Sequence, residues 1–568
     1  MYILGINAFL HDSAASLIGP EGIIACAEEE RFTRVKHTFA YPKNAVDYCL
    51  QEAKIDINKV THVAFFWNPY YELFHKLPPF LKGLPFTLQL FKKQAAINPF
   101  SRRIISMIRF KPIMKQSHKI RPDWKPTFHL VNHHMAHAAS SFYVSPFNEA
   151  SILTADGYSE YGSTLLAYGK GNRMVKLKIV KFPNSLGQLY GAITEFLGYK
   201  ICNCEGKVMA LASFGKDRYH DLFDKIVQCD DDGGFEMNFK YIAYQKYGLI
   251  RLMSEKFENE VGLPRKKEAE ITERDYDLAA SMQSCLERNL FKILNQLYAK
   301  TRVSNLCLAG GVALNSVANG KILDNTPFKD IYIQPAANDA GTSIGSALYV
   351  KHFVLNQPRN IHMTHAYWGP SYSDKEYEAA FEKRGIQYRK EKNIEKTCAK
   401  FIAEGKIIGW FQGRMEFGPR ALGNRSIFAD PRDPKMKDRL NEKVKHREPY
   451  RPFAPAIKLE SVQDYFETGD PEPFMLRVYR FKNEKAEKVP AVNHVDDTGR
   501  VQTVDRKTNA RFWKLIDEFE TLTGIPIILN TSFNIQGEPI VCTPDDAVNC
   551  YLGTDIDILI LGNYIAEK

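Results

Sequence analysis

The chain has 568 residues, 44% hydrophobic and 25% charged, too long for one hydrophobic core and too ordinary in composition for a disordered or fibrous protein, so two or more globular domains are expected. The formal net charge is +10, but residues 76–125 hold 8 Lys and 4 Arg against the single acid Asp123, which makes that segment +11 and the remainder −1. The basic balance is therefore local and does not argue for a nucleic-acid partner.

The opening Met1-Tyr-Ile-Leu-Gly-Ile-Asn7 segment is apolar but lacks a basic stretch, and His11 and Asp12 interrupt it early. It reads as a first strand and not as a signal peptide. Short strands are expected at 2–7, 14–18 and 22–27, then a helix at 44–54 and a strand at 60–66. The same order returns with strands at 151–155, 163–168 and 176–181. A strand-strand-strand-helix-strand unit used twice predicts a duplicated α/β domain with a cleft between its halves. A helix over 277–300 follows, with apolar residues at Leu278, Met282, Leu286, Leu290, Ile293 and Leu297, and then strands at 305–308 and 330–334. Asn, Pro, His and Gly break the pattern near 352–370, and about 200 residues of further α/β pattern form a second domain. The expected domains are 1–355, with the basic insert at about 76–125, and 366–568. No uncharged apolar run reaches the about 18 residues of a membrane span. The ten cysteines, scattered from Cys26 to Cys550, suggest no disulfide framework, and Cys202 and Cys204 form a lone Cys-x-Cys too short for a zinc signature.

Four groups of residues carry chemistry. His133 and His137 are four apart, so on a helix both imidazoles leave one face and can share a cation. Asp156 ends a strand at a glycine turn, and Asp339 follows another strand at a helix start, both positions that open onto a cleft. Two imidazoles with a carboxylate suit Fe(II), Mn(II) or Zn(II) with open positions for substrate; buried or capping histidines are the plainer alternative. The Gly310-Gly311 turn and the turn at 339–345 allow close approach of a nucleotide. In the second domain Arg420, Arg425, Lys445, Arg447, Arg451 and Arg500 stand among turn and apolar residues, with Asn530 and Ser532 beyond them, as expected of a site for a polyanion. His11, just after the first strand, is placed to take a proton from a hydroxyl.

The segments Glu28-Glu-Glu-Arg-Phe-Thr-Arg34, His133-His-Met-Ala-His137, Gly310-Gly-Val-Ala-Leu-Asn315, Gly418-Pro-Arg-Ala-Leu-Gly423, Tyr450-Arg-Pro-Phe-Ala-Pro455 and Leu529-Asn-Thr-Ser-Phe-Asn534 together resemble the O-carbamoyltransferases, the family of nodulation protein U and of enzymes that decorate antibiotics. The match runs in order along essentially the whole chain. The resemblance implies a duplicated actin-like ATPase domain, similar to tRNA threonylcarbamoyladenosine synthase, followed by a YrdC-like domain. It implies that the second domain makes carbamoyl-adenylate from carbamoyl phosphate and ATP with Mg2+, releasing pyrophosphate. The first domain then passes the carbamoyl group to a hydroxyl of a sugar or natural-product acceptor, releasing AMP. By motif position His133, His137 and Asp339, with Asp156 beside them, bind iron(II), and His11 is the catalytic histidine. Lys36, Glu205, Gly206, Gly310, Gly311 and Asn315 lie along the adenylate in the first domain. Arg420, Lys445, Arg451, Arg500, Asn530 and Ser532 hold ATP and carbamoyl phosphate in the second. A cytoplasmic location is expected, with a homodimer as the default assembly. A threonylcarbamoyl-type tRNA-modifying enzyme, a sugar kinase and a nucleotide or carbamoyl-phosphate sensor are the competing functions. The basic insert reads as a packed surface excursion, the alternative being contact with an anionic or lipid-linked acceptor or a membrane surface.

Overall fold

The computed structural model describes residues 1–92 and 100–568, so part of the basic insert, 93–99, lies outside the described residues. The chain divides into two compact units, one of Met1–Glu29 with His37–His362, the other of Glu30–Lys36 with Met363–Lys568.

The first unit holds two five-stranded sheets of one topology. In the first sheet, β1 (Ile3–Asn7), β2 (Ala14–Ile18) and β3 (Ile23–Glu28) form an antiparallel meander, while β4 (His62–Phe65) and β5 (Thr127–Leu130) extend β1 in parallel. In the second, β6 (Glu149–Ala155), β7 (Gly162–Lys170) and β8 (Arg173–Lys181) form the meander, while β9 (Asn305–Ala309) and β10 (Asp330–Ile333) extend β6 in parallel. The duplication expected from the strand pattern is therefore a repeat of order and sense. Strands β1, β2 and most of β6 are buried throughout, as continuous apolar runs require when both faces of a sheet are covered.

The helices that bear on function, in chain order, are α1 (Lys43–Glu52), α2 (Pro69–Lys82), α3 (Phe100–Ile108), α4 (Phe110–Ser117), α5 (His133–Phe142), α6 (Glu205–Leu211), α7 (Glu273–Thr301) and α8 (Gly341–Leu348). Helix α7 begins before the apolar periodicity does, because the Asp275 carboxylate accepts from the Thr272 peptide N–H at 2.9 Å and closes a capping box. Helix α8 joins the two halves. It is rich in small residues, Ser343 Oγ lies 2.7 Å from Ser16 Oγ of the first sheet, and its other side meets α5. A Cβ built on Gly345 would stand 1.9 Å from the Ala136 carbonyl oxygen, so only glycine permits this crossing.

In the second unit an eight-stranded sheet is built from β11 (Arg389–Lys390), β12 (Ile408–Phe411), β13 (Arg425–Ala429), β14 (Ala454–Lys458), β15 (Gln502–Val504), β16 (Ile527–Ser532), β17 (Ile558–Leu561) and β18 (Tyr564–Glu567). The order is β11-β18-β17-β12-β13-β16-β14-β15. Its core is aromatic, with Trp410, Phe411, Phe428 and Phe512 all fully buried.

Candidate active site

The first unit gathers its candidate residues where strands end. Helix α5 starts at Asn132, whose side chain accepts from the Met135 N–H, and one turn on His133 and His137 face the same way with ring centroids 4.6 Å apart. Asp156 follows the last residue of β6, and Asp339 lies between β10 and α8. His137 Nε2 is 3.1 Å from Asp156 Oδ2 and 3.6 Å from Asp339 Oδ1; His133 Nε2 is 3.4 and 3.7 Å from the same two oxygens. The four ligand atoms all lie within 4.8 Å of one another. His137 Nε2 is buried and makes no hydrogen bond despite its closeness to the carboxylate. An imidazole nitrogen aimed between two carboxylates without hydrogen-bond geometry fits a divalent cation, since two anionic oxygens and two neutral nitrogens match its charge and donor preference. In their own field the carboxylates outweigh burial and hold the His137 pKa up at about 9, a second sign that the pocket calls for positive charge. Among the described residues, Cys202 and Cys204 join no such ligand group.

His11 stands at the edge of this cage. Its Nε2 lies 3.6 Å from Asp339 Oδ2 and its Nδ1 3.0 Å from Asp12 Oδ2. Asp12 also accepts from His37 Nδ1 at 2.6 Å and from Asn338 Nδ2 at 2.9 Å. Burial pushes the His11 pKa down, but Asp339, then Asp12 and Asp156, outweigh it and carry the ring to about 10. Glu205, at the start of α6, accepts from the Cys202 peptide N–H at 2.6 Å. Burial raises its pKa, against the charges of His11 and His37. A Cβ on neighbouring Gly206 would meet nothing within 4 Å. Gly310, at φ +93°, lies so close to the end of β6 that a Cβ would stand 2.3 Å from the Ala155 carbonyl oxygen, and one on Gly311 would lie 3.1 Å from Asp156 Oδ1. The glycine turn thus borders the metal-type cage directly. The Asn315 amide is exchanged with Gln283 at 2.8 and 3.1 Å and caps the Ala318 N–H, so its side chain holds the turn in place.

Three features escaped the sequence reading. Glu160, fully buried, accepts from the peptide N–H groups of Asn68 (3.0 Å) and His133 (3.1 Å) and from Asn132 Nδ2 (2.8 Å), fixing the start of the helix that bears both histidines. The Asp12–His37 pair orients His11. The third is the packing at the start of the basic insert, read from sequence as a packed surface excursion. Glu72 of α2, fully buried, accepts from Trp67 Nε1 at 2.8 Å, from Lys76 Nζ at 2.7 Å and from Arg103 of α3. Arg103 also donates to Tyr158 Oη at 2.6 Å, and the Trp67 ring packs edge-on against His133 at 5.1 Å. Burial alone would raise the Glu72 pKa, but Arg103 and Lys76 bring it below its ordinary value.

In the second unit the cations sort into two kinds. Arg425 is fully buried, stacks 3.6 Å over the Phe411 ring centroid and donates to the carbonyls of Gln412, Asn424 and Pro370. It is committed to the fold and is not available to an anion. Arg420, Arg447, Arg451 and Arg500 instead crowd one another. Burial and Arg451 push the Arg420 pKa down to about 10. Burial and the charges of Arg420, Arg447 and Arg451 take Arg500 well below its usual value. The Nε atoms of Arg420 and Arg500 are buried with no hydrogen-bond partner. Asn530 donates to Gln502 Oε1 at 2.7 Å while its own Oδ1 is buried and unpartnered. Lys445 Nζ meets only neutral oxygens, among them the Ser532 carbonyl at 2.5 Å and Asn534 Oδ1 at 2.9 Å. Burial, with Arg447 and Arg451 adding to it, drives its pKa well down. Lys36, expected beside the adenylate of the first domain, belongs to the second unit, where its charge acts on Lys445.

Residues 2–348 match the family model described as the carbamoyltransferase N-terminus, and residues 399–568 match the one described as the carbamoyltransferase C-terminus. Nodulation protein NolNO of Sinorhizobium fredii is 37% identical over 99% of this chain and 80% of its own length. Nodulation protein U of Rhizobium fredii is 30% identical over 74% of this chain and 72% of its own. A protein of Synechocystis sp. is 40% identical over 100% and 97%. Among solved structures, HypF of T. kodakarensis has 12% identity and a TM-score of 0.35 over 62% of this chain and 48% of its own, a likeness too slight to bear on function. With both halves matched in order, the chain belongs to the O-carbamoyltransferase family and is a transferase enzyme.

Proposed function

We propose that the second unit forms carbamoyl-adenylate from carbamoyl phosphate and ATP with Mg2+, and that the first unit passes the carbamoyl group to a hydroxyl of a sugar or natural-product acceptor. The supporting observation is the crowd of half-buried, mutually repelling guanidiniums of Arg420, Arg447, Arg451 and Arg500 in the second unit. Arg447 is partly held by Asn441 Oδ1 (2.7 Å), but the buried, unpartnered Nε atoms of Arg420 and Arg500 call for an anion, and both substrates are polyanions. Atom balance gives carbamoyl phosphate, ATP and water on one side, and carbamoyl-adenylate, phosphate and pyrophosphate on the other. In our reading Arg420, Arg451 and Arg500 neutralise the phosphates, Lys445 is held ready by Ser532 and Asn534, and Asn530 Oδ1 accepts from the carbamoyl amide. We assign a YrdC-like fold to this unit and an actin-like fold to the duplicated one.

His133, His137, Asp156 and Asp339 would hold iron(II) in the first unit. Such an ion supplies Lewis acidity toward the carbamoyl carbonyl. The chain's own part is orientation and proton transfer. Asp12 holds His11 through Nδ1; a cation held by Asp339 and Asp156 would cancel the charges that keep the ring protonated in the ligand-free protein, leaving Nε2 free to take the acceptor's hydroxyl proton as the acceptor oxygen bonds to the carbamoyl carbon and the bond to the AMP phosphate oxygen breaks. Gly310 and Gly311 leave room for the adenylate beside Asp156. We place the reaction in the cytoplasm, where both anionic substrates are made. The test is exchange of labelled pyrophosphate into ATP. Exchange that requires carbamoyl phosphate, disappears in Arg500→Gln and survives in His133→Ala supports this division of labour. Exchange lost equally in both variants, or ADP as the product, contradicts it.

A further inference from the structure

Helix α2 is amphipathic in the reverse of the usual sense. Its charged residues Glu72 and Lys76 face inward to the network beside Trp67 and Tyr158. Its outward stripe, at helical spacing, is Tyr70 (60% exposed), Leu73 (37%), Phe74 (74%), Leu77 (57%) and Leu81 (54%). The exposed apolar surface continues through Phe86 (52%) and Leu88 (53%), and helix α3 adds Ile105 (54%) and Ile108 (42%). Single exposed apolar residues need no explanation, but a stripe of them on a helix whose Glu72 and Lys76 turn inward does. Exposed Lys82, Lys92, Arg102, Arg109, Lys111 and Lys115 occur along the same segment, whose net charge over 76–125 is +11.

We propose that this face docks on an anionic lipid surface. Apolar and aromatic side chains with lysine and arginine around them are what interfacial helices use, the first entering the headgroup region and the second attracting acidic lipids. A second copy of the chain is disfavoured as the occupant, because it would bring +11 against +11. No described helix is long and apolar enough to cross a membrane, so the contact is peripheral.

The test is co-sedimentation of the full chain with vesicles of phosphatidylcholine alone and of phosphatidylcholine with one quarter phosphatidylglycerol, at low and high salt. The expected result is at least tenfold stronger binding to the anionic vesicles, weakened by salt. Phe74→Ser/Leu77→Ser should lose at least tenfold while keeping wild-type melting temperature and carbamoyl-phosphate-dependent pyrophosphate exchange. Arg102→Glu/Arg109→Glu, which alters only exposed charges, should lose binding similarly and guards against misfolding of the first variant. Equal binding to neutral and anionic vesicles, or unchanged binding in the charge variant, overturns the proposal. So does a solution dimer that Phe74→Ser/Leu77→Ser converts to monomer, because the face then belongs to a second copy.

Discussion

Replacing Arg420 with Gln should make the protein more stable and a worse enzyme, and the opposite signs are what make the substitution informative. Burial and Arg451 bring the Arg420 pKa down from its ordinary value to about 10, and its Nε has no hydrogen-bond partner. A shift of that size corresponds to about 3 kcal/mol of unfavourable charge in the ligand-free protein; partial exposure of the side chain lets water screen it, leaving about 1–2 kcal/mol. Removing the charge should therefore raise the melting temperature of the second unit by about 3–6 °C. With carbamoyl phosphate or ATP present the sign reverses. A lost charge-assisted hydrogen bond to phosphate weakens binding by about 1.5–3 kcal/mol, roughly 10- to 100-fold, so the variant forfeits most of the about 2.7 kcal/mol that ligand at a hundred times its Kd confers on wild type. Thermal melts of both proteins with and without each substrate should cross. An apo variant that melts below wild type, or one that keeps the full ligand-induced shift, would refute the anion-site reading of the cluster.

Other perturbations have equally definite outcomes. Glu160→Gln removes one of the oxygens that fix the start of α5, and metal affinity measured by titration should fall about 10- to 100-fold with the fold intact. Gly345→Ala drives a Cβ to within 1.9 Å of the Ala136 carbonyl oxygen; it should destabilise the first unit by about 3 kcal/mol in urea unfolding and weaken metal binding, since α5 must shift. His352 Nδ1 donates to the Gln357 carbonyl (2.9 Å), its Nε2 is buried without a partner, and burial lowers its pKa to about 4. Above pH 6.5 the ring is neutral folded and unfolded, so no stability is lost; below it only the unfolded chain takes up the proton, until about pH 4. Wild type should lose about 3 kcal/mol between those values that His352→Gln does not lose, read from urea midpoints at each pH.

The duplicated topology was legible because short strands rich in apolar residues, such as β1 and β6, stand between turn signals, and the same succession occurs twice. The spacing of His133 and His137 announced a shared face without any tertiary information. What sets that face depends on contacts that sequence spacing does not record. Glu160 reaches back to residues 68, 132 and 133, and Asp12 ties together His11, His37 and Asn338. Arginine type alone did not separate Arg425, locked on carbonyls over Phe411, from Arg420 and Arg500, which differ only in what surrounds them. The two sides of the insert were not separable from composition, which averages two faces of α2, an inner one that carries Glu72 and Lys76 and an outer one that exposes Phe74 and Leu77. A helical wheel would have found both stripes, but not which of them faces inward.

The central claim, that ATP is cleaved to an adenylate on demand of carbamoyl phosphate, is tested most directly by chromatography of nucleotides from the purified protein given ATP, Mg2+, carbamoyl phosphate and iron(II) with no acceptor. AMP and pyrophosphate that form only when carbamoyl phosphate is present are the predicted result. ADP, or AMP formation indifferent to carbamoyl phosphate, would contradict it.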